Sequence, residues 1–188
     1  KTGSAGAAIG GMVSYKNELY FTAKSGNYSE LWHTDGTTAG TVKVTSPSGL
    51  LGYNSDVVVH DTLLFFTGRD SGPGDYGIWK TNGTTLGTAI ITGSLPSTPL
   101  VALGPIVSLG TEVLFGYQYY SAGYAYRLYK TDGTSITMVK DSLNFKNPVK
   151  LGNKLVFKGE KTGSATNGEP WVTDGTTGGT FKLNPVSW

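Results

Sequence analysis

The sequence predicts an all-β fold, a four-bladed β-propeller with four antiparallel strands per blade. Three observations predict it: a unit of about 47 residues recurs four times in the 188-residue chain, each copy alternates short β-branched and aromatic runs with glycine-rich turns, and no helical spacing of apolar residues extends beyond a turn. One unit cannot bury both of its apolar faces, so neighbouring copies must stack to form the core.

The repeat is clearest where an aromatic residue is followed three positions later by Asp-Gly or Asn-Gly. The turn glycines stand at positions 36, 83, 133 and 175, so the copies recur at intervals of 47, 50 and 42 residues. The third copy is two residues shorter after its Asp-Gly. A short carboxylate or amide before glycine is typical of an Asx-turn, and we expect one between the third and fourth strands of each blade.

Each unit is interpreted as four short strands. In the first unit these are predicted at about 10–15, 18–24, 29–34 and 41–45. The predicted blades cover about 9–47, 50–94, 100–141 and 145–188, together one four-repeat domain over residues 1–188. Two other architectures remain open, an open stack of sheets and a part of a larger propeller.

The repeated aromatic and turn residues are expected to build the fold. A flat ring on the third strand suits packing between adjacent sheets, and Asn in place of Asp in the second copy favours a turn over a calcium ligand. The predicted turn and packing residues are Trp32, Asp35, Gly36, Trp79, Asn82, Gly83, Tyr129, Asp132, Gly133, Trp171, Asp174 and Gly175.

The segment from Glu30 to Thr41 resembles the ELWxTDGTxxGT repeat of large secreted or surface-anchored bacterial proteins. The resemblance extends over all four units and departs from the pattern at Tyr129, in the shortened turn after Gly133, and at Pro170. It implies a β-propeller-like fold and an extracellular or cell-surface, adhesion-type setting. The repeat family has no established catalytic residues to carry over.

The composition indicates which classes of partner and cofactor are not expected. The chain has no cysteine, and its net charge of +2 is spread without a cationic run, so we expect no nucleic-acid partner. No apolar run is long enough to insert into a membrane. We expect no resident metal and no cofactor; calcium is the one ion considered, with Asp70 and Asp75 as its candidate ligands.

No catalytic constellation is visible in the sequence. The two histidines, His33 and His60, lie in different blades without nucleophile or metal spacing, and sialidase-like chemistry would need more arginines than Arg69 and Arg127. The sequence therefore predicts that the chain is not an enzyme.

The predicted binding site lies where the copies differ. The segments between second and third strands vary in every copy, and the segment from Gly116 to Tyr126 is rich in tyrosine, which suits contacts with sugar rings or a protein partner. The alternative is a hairpin whose tyrosines pack on one another. The candidate ligand-binding residues are Tyr28, Asp70, Asp75, Tyr76, Tyr117, Tyr119 and Tyr124.

These observations predict a non-catalytic, lectin-like binding or adhesion module that recognises carbohydrate or a surface protein through loops on one face. The alternative is a structural repeat or self-assembling subunit of a bacterial surface structure, with self-association in place of a foreign partner.

Overall fold

A computed structural model describes residues 9–25, 28–44, 56–69, 76–91, 93, 95, 100–120, 123–163 and 168–184. Within these residues every regular element is a β-strand, and the strands form four sheets. The first sheet contains β1 (Ile9–Tyr15), β2 (Glu18–Ser25), β3 (Tyr28–Thr34) and β4 (Val42–Lys43). The second contains β5 (Val57–His60), β6 (Leu63–Arg69), β7 (Tyr76–Thr81) and β8 (Ala89–Ile90).

The third and fourth sheets repeat the plan with longer strands. The third sheet contains β9 (Leu100–Leu109), β10 (Glu112–Tyr120), β11 (Tyr124–Thr131) and β12 (Ile136–Asp141). The fourth sheet contains β13 (Leu143–Leu151), β14 (Lys154–Lys161), β15 (Glu169–Thr173) and β16 (Phe181–Lys182). In all four, consecutive strands pair antiparallel in chain order. The predicted fold class, four blades of four antiparallel strands, is confirmed.

The first hairpin of each sheet turns through residues in the left-handed region. Gly110 and Gly152 have φ values of 58° and 60°, and the first sheet uses Lys16 and Asn17 at 51° and 62° for the same bend. Tight two-residue hairpins need positive φ because that backbone twist matches the twist of the flanking strands. Gly110-Thr111 and Gly152-Asn153 stand between apolar runs in the sequence, and glycine adopts this conformation without steric cost.

The chain divides into two compact units, residues 1–91 and 92–188. In the first unit, one face of the first sheet packs on the second sheet. The buried cluster joins Tyr15, Tyr20 and Leu31 of one sheet to Phe66 and Trp79 of the other. The turn between β7 and β8 is also hydrogen-bonded to the first sheet. Lys16 Nζ donates to the carbonyl of residue 82 at 3.0 Å, and the Thr85 hydroxyl donates to the carbonyl of residue 44 at 2.9 Å.

The second unit repeats this packing with its own two sheets. Leu114 and Leu128 of the third sheet meet Phe145, Phe157 and Trp171 of the fourth in one buried cluster. Trp79 and Trp171 therefore belong to clusters that include residues of the sheet preceding them in the chain. The single domain predicted over residues 1–188 stays a prediction.

One segment predicted as a variable loop is instead regular structure. β10 continues to Tyr120 and β11 begins at Tyr124, so the tyrosine-rich segment from Gly116 to Tyr126 is mostly a paired hairpin. Alternation along a strand then decides which tyrosines share a face. No helix capable of crossing a membrane is found in the described part of the chain.

Candidate functional site

The four repeated turns are closed by their own side chains. In the first, Asp35 Oδ1 accepts hydrogen bonds from the Thr37 amide at 2.9 Å and the Thr37 hydroxyl at 2.8 Å. In the second, Asn82 Oδ1 accepts the same two bonds at 3.0 and 2.8 Å. Asp132 and Asp174 do likewise in the third and fourth turns. The glycine that follows has φ between 88° and 95° in every turn, a conformation that side chains with a Cβ avoid.

Threonines complete three of these turns and are replaced in the third. Thr34 and Thr41 share a hydrogen bond between hydroxyls at 2.7 Å, and the second and fourth turns contain the same pair. The shortened third turn has no such pair. There the amide of Ser135 donates to Asp132 Oδ1 at 2.9 Å, so one further bond to the carboxylate closes the turn.

Hydrogen bonding lowers the pKa of the turn carboxyls. The Thr37 amide does so for Asp35, the Ser135 amide for Asp132 and the Thr176 hydroxyl for Asp174, because each donor stabilises the charged form. The Oδ1 atom of each carboxyl is thus bonded within the turn itself, which is a folding role.

The repeated aromatic residues differ in burial. Trp79, Tyr129 and Trp171 are 8%, 3% and 5% exposed, whereas Trp32 is only partly buried. A Cβ built on Gly159 would clash with the Trp171 indole, so the ring lies directly over that glycine. Ala23 holds the equivalent position beside Trp32, and its methyl group excludes the same ring placement. An open recess lined by Trp32 and Ala23 results in the first sheet.

Four of the predicted ligand-binding residues cannot be placed as side chains. Asp70 and Asp75, the candidate calcium ligands, lie outside the described residues. Tyr28 begins β3 and Tyr76 begins β7, but only their backbones belong to the described part. Within the described residues, no group of three or more acidic or histidine side chains is arranged to hold a metal ion.

Two predicted ligand residues lie on the inner face of the tyrosine-rich hairpin. Tyr117 is 3% exposed and packs edge-on against Tyr129, with ring centroids 5.7 Å apart. Burial raises the pKa of Tyr117 to about 12. Tyr119 is covered by the Arg127 guanidinium, whose Cζ lies 4.7 Å from the ring centroid, and Arg127 pairs in turn with Asp141 at 2.7 Å. On this face the tyrosines pack on one another, which is the alternative that the sequence left open for the hairpin.

The opposite face of the hairpin is open. Tyr124, the third predicted tyrosine, is 58% exposed and meets the 55% exposed Tyr120 edge-on at 5.8 Å. Gln118 and Tyr126 are paired across the hairpin on the same face, two residues nearer the sheet centre and about 7 Å along the strands. The Gln118 side-chain amide donates to the Tyr126 hydroxyl at 3.3 Å. Sequence reasoning noted Tyr120 and Tyr126 but did not place either of them in the site.

This open face leads into a cleft of about 380 Å³ in the second unit. Gln118 and Tyr126 form one wall, and Asn144 and Lys146 of β13 form another. Gly104 and Gly116 lie between them, where a Cβ on Gly104 would come within 3.3 Å of the Gly116 Cα. The two glycines therefore allow the backbones of β9 and β10 to approach each other and Phe145 closely at the cleft. The described residues that line the cleft include no carboxylate.

Asn144 is the distinctive residue of the cleft. It is 8% exposed, and its Nδ2 is buried without a hydrogen-bond partner. A buried donor left unpaired costs about 1–3 kcal/mol, so native structures rarely contain one without a reason. Sequence reasoning missed Asn144, because it lies in the first strand of its copy and outside the repeated motif. Its position beside Phe145 in a buried run, polar among apolar residues, was the available signal.

The histidines do not contribute to this cleft. His33 Nδ1 lies 2.7 Å from Glu18 Oε2 and its ring stacks on Tyr20 at 5.3 Å in the first sheet. His60 is buried and packs edge-on against Phe65 at 5.8 Å. Both histidines lie within strands of the first unit, away from the residues that line the cleft.

Comparison with known proteins reveals a shared fold without sequence similarity. No family profile and no curated protein sequence matches the chain. An endo-arabinase from Bacteroides thetaiotaomicron is 8% identical with a TM-score of 0.53, covering 94% of this chain and 80% of that one. An endo-1,4-beta-xylanase from the same species is 10% identical with a TM-score of 0.50, covering 94% and 72%.

A third solved structure, the Bacteroides ovatus xyloglucan PUL GH43B, is 12% identical with a TM-score of 0.48. The match covers 94% of this chain, which spans only 40% of the length of that protein. The resemblance to ELWxTDGTxxGT repeats is tested by none of these matches and stays a prediction.

These likenesses correct the functional prediction. The solved structures that share the fold at a TM-score of 0.50 or above are named as an arabinase and a xylanase, so the prediction of a non-catalytic adhesion module, with its alternative of a structural or self-assembling repeat, is wrong. The prediction rested on the lack of a visible catalytic constellation in the sequence and on the resemblance to adhesion-type repeats, and neither fixes a function, since one fold supports many functions. The comparisons show an all-β fold that is also found in an arabinase and a xylanase.

Proposed function

We propose that this chain is a carbohydrate-active protein that binds a polysaccharide of the arabinan or xylan type in the cleft of the second unit. The observation that carries the proposal is the unpartnered amide nitrogen of Asn144, buried in a cleft lined by Gln118 and Tyr126, whose hairpin ends in two exposed tyrosines. An extracellular or cell-surface location belongs to the same proposal, since polysaccharides of this kind lie outside cells.

The chemistry of the cleft suits a sugar. A pyranose or furanose ring has apolar C–H faces and a rim of hydroxyls, and tyrosine offers both a flat ring and a hydroxyl to such a ligand. Tyr120 and Tyr124 are exposed at the hairpin end, while Gln118, Tyr126 and Asn144 supply hydrogen-bonding groups deeper in. A few polar groups converging in a cleft of this size are typical of small-molecule sites.

Hydrolysis of the bound polysaccharide is a second candidate, favoured by the fold shared with an endo-arabinase and an endo-xylanase. Glycosidic cleavage uses two carboxyl groups roughly 5–9.5 Å apart. The described lining of the cleft includes none, so this reaction would draw on carboxyl groups elsewhere in the chain. Release of reducing ends from arabinan or xylan, against a heat-denatured control, tests it. No release over a day would exclude hydrolysis.

Binding itself is tested by isothermal titration of the purified chain with arabino- and xylo-oligosaccharides. Replacing Tyr124→Ala removes an exposed ring of the site and is expected to weaken binding about three- to tenfold, the scale of one aromatic contact. Phe181→Ala is the matched control, because Phe181 is also exposed in the second unit but lies on β16, outside both the tyrosine-rich hairpin and the lining of the cleft.

Equal losses in the two variants, or no binding of either sugar by the unaltered chain, would overturn the proposal. Circular dichroism of both variants separates a lost contact from a lost fold.

A further inference from the structure

We infer that the cleft of the second unit selects sugars that carry a carboxylate, that is, uronic-acid-bearing oligosaccharides. This inference rests on the proposed function, because it names the ligand class of the same site. It goes beyond that function, since nothing in the arabinan or xylan assignment requires an acidic group.

The first argument is the hydrogen-bonding character of the cleft. The buried Nδ2 of Asn144 is a donor without a protein acceptor, so an acceptor oxygen on a ligand in the cleft would satisfy it. A carboxylate oxygen accepts more strongly than a hydroxyl, because hydrogen bonds with an ionised partner are shorter and about twice as strong.

The second argument is charge. Lys146 lines the cleft with its side chain 49% exposed, and no carboxylate is present in the described lining. Its ion pair with Glu160 is loose, at 3.5 Å, and an ammonium has three donors, so Lys146 can still bind an incoming anion. Glu160 lies opposite Asn144 in the register of β13 and β14, yet the amide nitrogen has no bond to it.

The geometry places the two donors on one face. Asn144 and Lys146 are two residues apart on β13, so their side chains leave the sheet on the same side about 7 Å apart along the strand. A sugar ring with its carboxylate group is of that length scale. One donor can therefore hold the carboxylate while the other holds a ring oxygen or hydroxyl.

The test compares a xylo-oligosaccharide with the same oligosaccharide bearing one glucuronic acid, by titration at low and high salt. We expect the acidic sugar to bind about fivefold more tightly at low salt, the upper range of an exposed ion pair. This advantage is expected to shrink at high salt because the lysine is partly exposed. Lys146→Gln removes the cation and should abolish the advantage of the acidic sugar over the neutral one.

Lys154→Gln is the matched control, since Lys154 is an exposed lysine of the same sheet that does not line the cleft. Equal affinity for the two sugars, or an equal effect of the two lysine variants, would overturn the selection of acidic sugars and leave the proposed function standing. Failure of both sugars, and of arabino-oligosaccharides, to bind would instead overturn the proposed function.

Discussion

Asn82 and Asn144 are both asparagines of sheet-forming repeats, but their amide groups are used in opposite ways. Asn82 Oδ1 accepts two hydrogen bonds from Thr84 within its own turn. Asn144 Nδ2 is buried in the cleft of the second unit with no partner. The first belongs to the repeated framework that all four copies share, and the second belongs to a place where one copy differs.

The difference teaches how to separate folding residues from candidate ligand residues in a repeat. A polar group whose partners are all local stabilises a turn and has nothing left to offer a ligand. A buried donor without a partner destabilises the free protein and gains most when a ligand arrives. The framework should therefore carry the stability of this chain, and the cleft should carry its binding.

The largest expected effect is in the buried framework. Trp171→Ala removes a ring that is 5% exposed within the core of the second unit, and we expect a loss of about 3–5 kcal/mol in the free energy of unfolding. Trp32→Ala removes a partly exposed ring and should cost about 1–2 kcal/mol. Urea unfolding of both variants measures the difference, and equal losses would contradict the unequal burial of the two rings.

A smaller loss of stability is expected at Gly159, whose counterpart in the first copy of the repeat is Ala23. Gly159→Ala places a methyl group where the Trp171 indole lies, and overpacking of this kind costs about 1–3 kcal/mol. Ala23→Gly, the reciprocal change in the first sheet, removes a methyl group without forcing a ring to move. Urea unfolding measures the loss. A Gly159→Ala variant as stable as the unaltered chain would show that a methyl group at this position does not displace the ring, so Ala23 would not explain why Trp32 is placed differently from Trp171.

The turns predict a pH dependence of stability. Asp35, Asp132 and Asp174 have lowered pKa values in the folded chain, so their contribution is full above the unfolded pKa of about 4 and is lost as the pH falls toward the folded values. Asp174→Asn should keep the turn bonds, as Asn82 does, and flatten the acid limb of the stability curve. Asn82→Asp should steepen it. Thermal unfolding between pH 2 and pH 7 measures both, and parallel curves for the two variants would contradict this account.

The sequence was sufficient for the fold because its evidence was local and repeated. Asp35-Gly36 and its counterparts specify a turn from neighbouring atoms alone, and the apolar runs on either side fix the strands that flank it. Four copies make a chance pattern improbable, and the shape of the first copy predicts the other three. The strands of the first sheet fall within a few residues of their predicted bounds.

The site was predicted less well because it depends on contacts that are distant in sequence. The cleft joins Gly104, Gly116, Tyr126 and Asn144, which no local motif connects. Treating the tyrosine-rich segment as a loop also hid the period of two that puts Tyr117 inside and Tyr120 outside. Alternation along a strand, applied to that segment, would have favoured Tyr120, Tyr124 and Tyr126 over Tyr117 and Tyr119.

The most direct test of the central claim is the replacement Asn144→Leu, measured for both stability and sugar binding. Leucine has a similar size without the unpartnered donor, so the free protein should gain about 1 kcal/mol in unfolding free energy. The same variant should bind oligosaccharide at least tenfold more weakly, because the donor that a ligand would satisfy is gone. A variant that is destabilised, or that binds as tightly as the unaltered chain, would contradict the assignment of the cleft as the binding site.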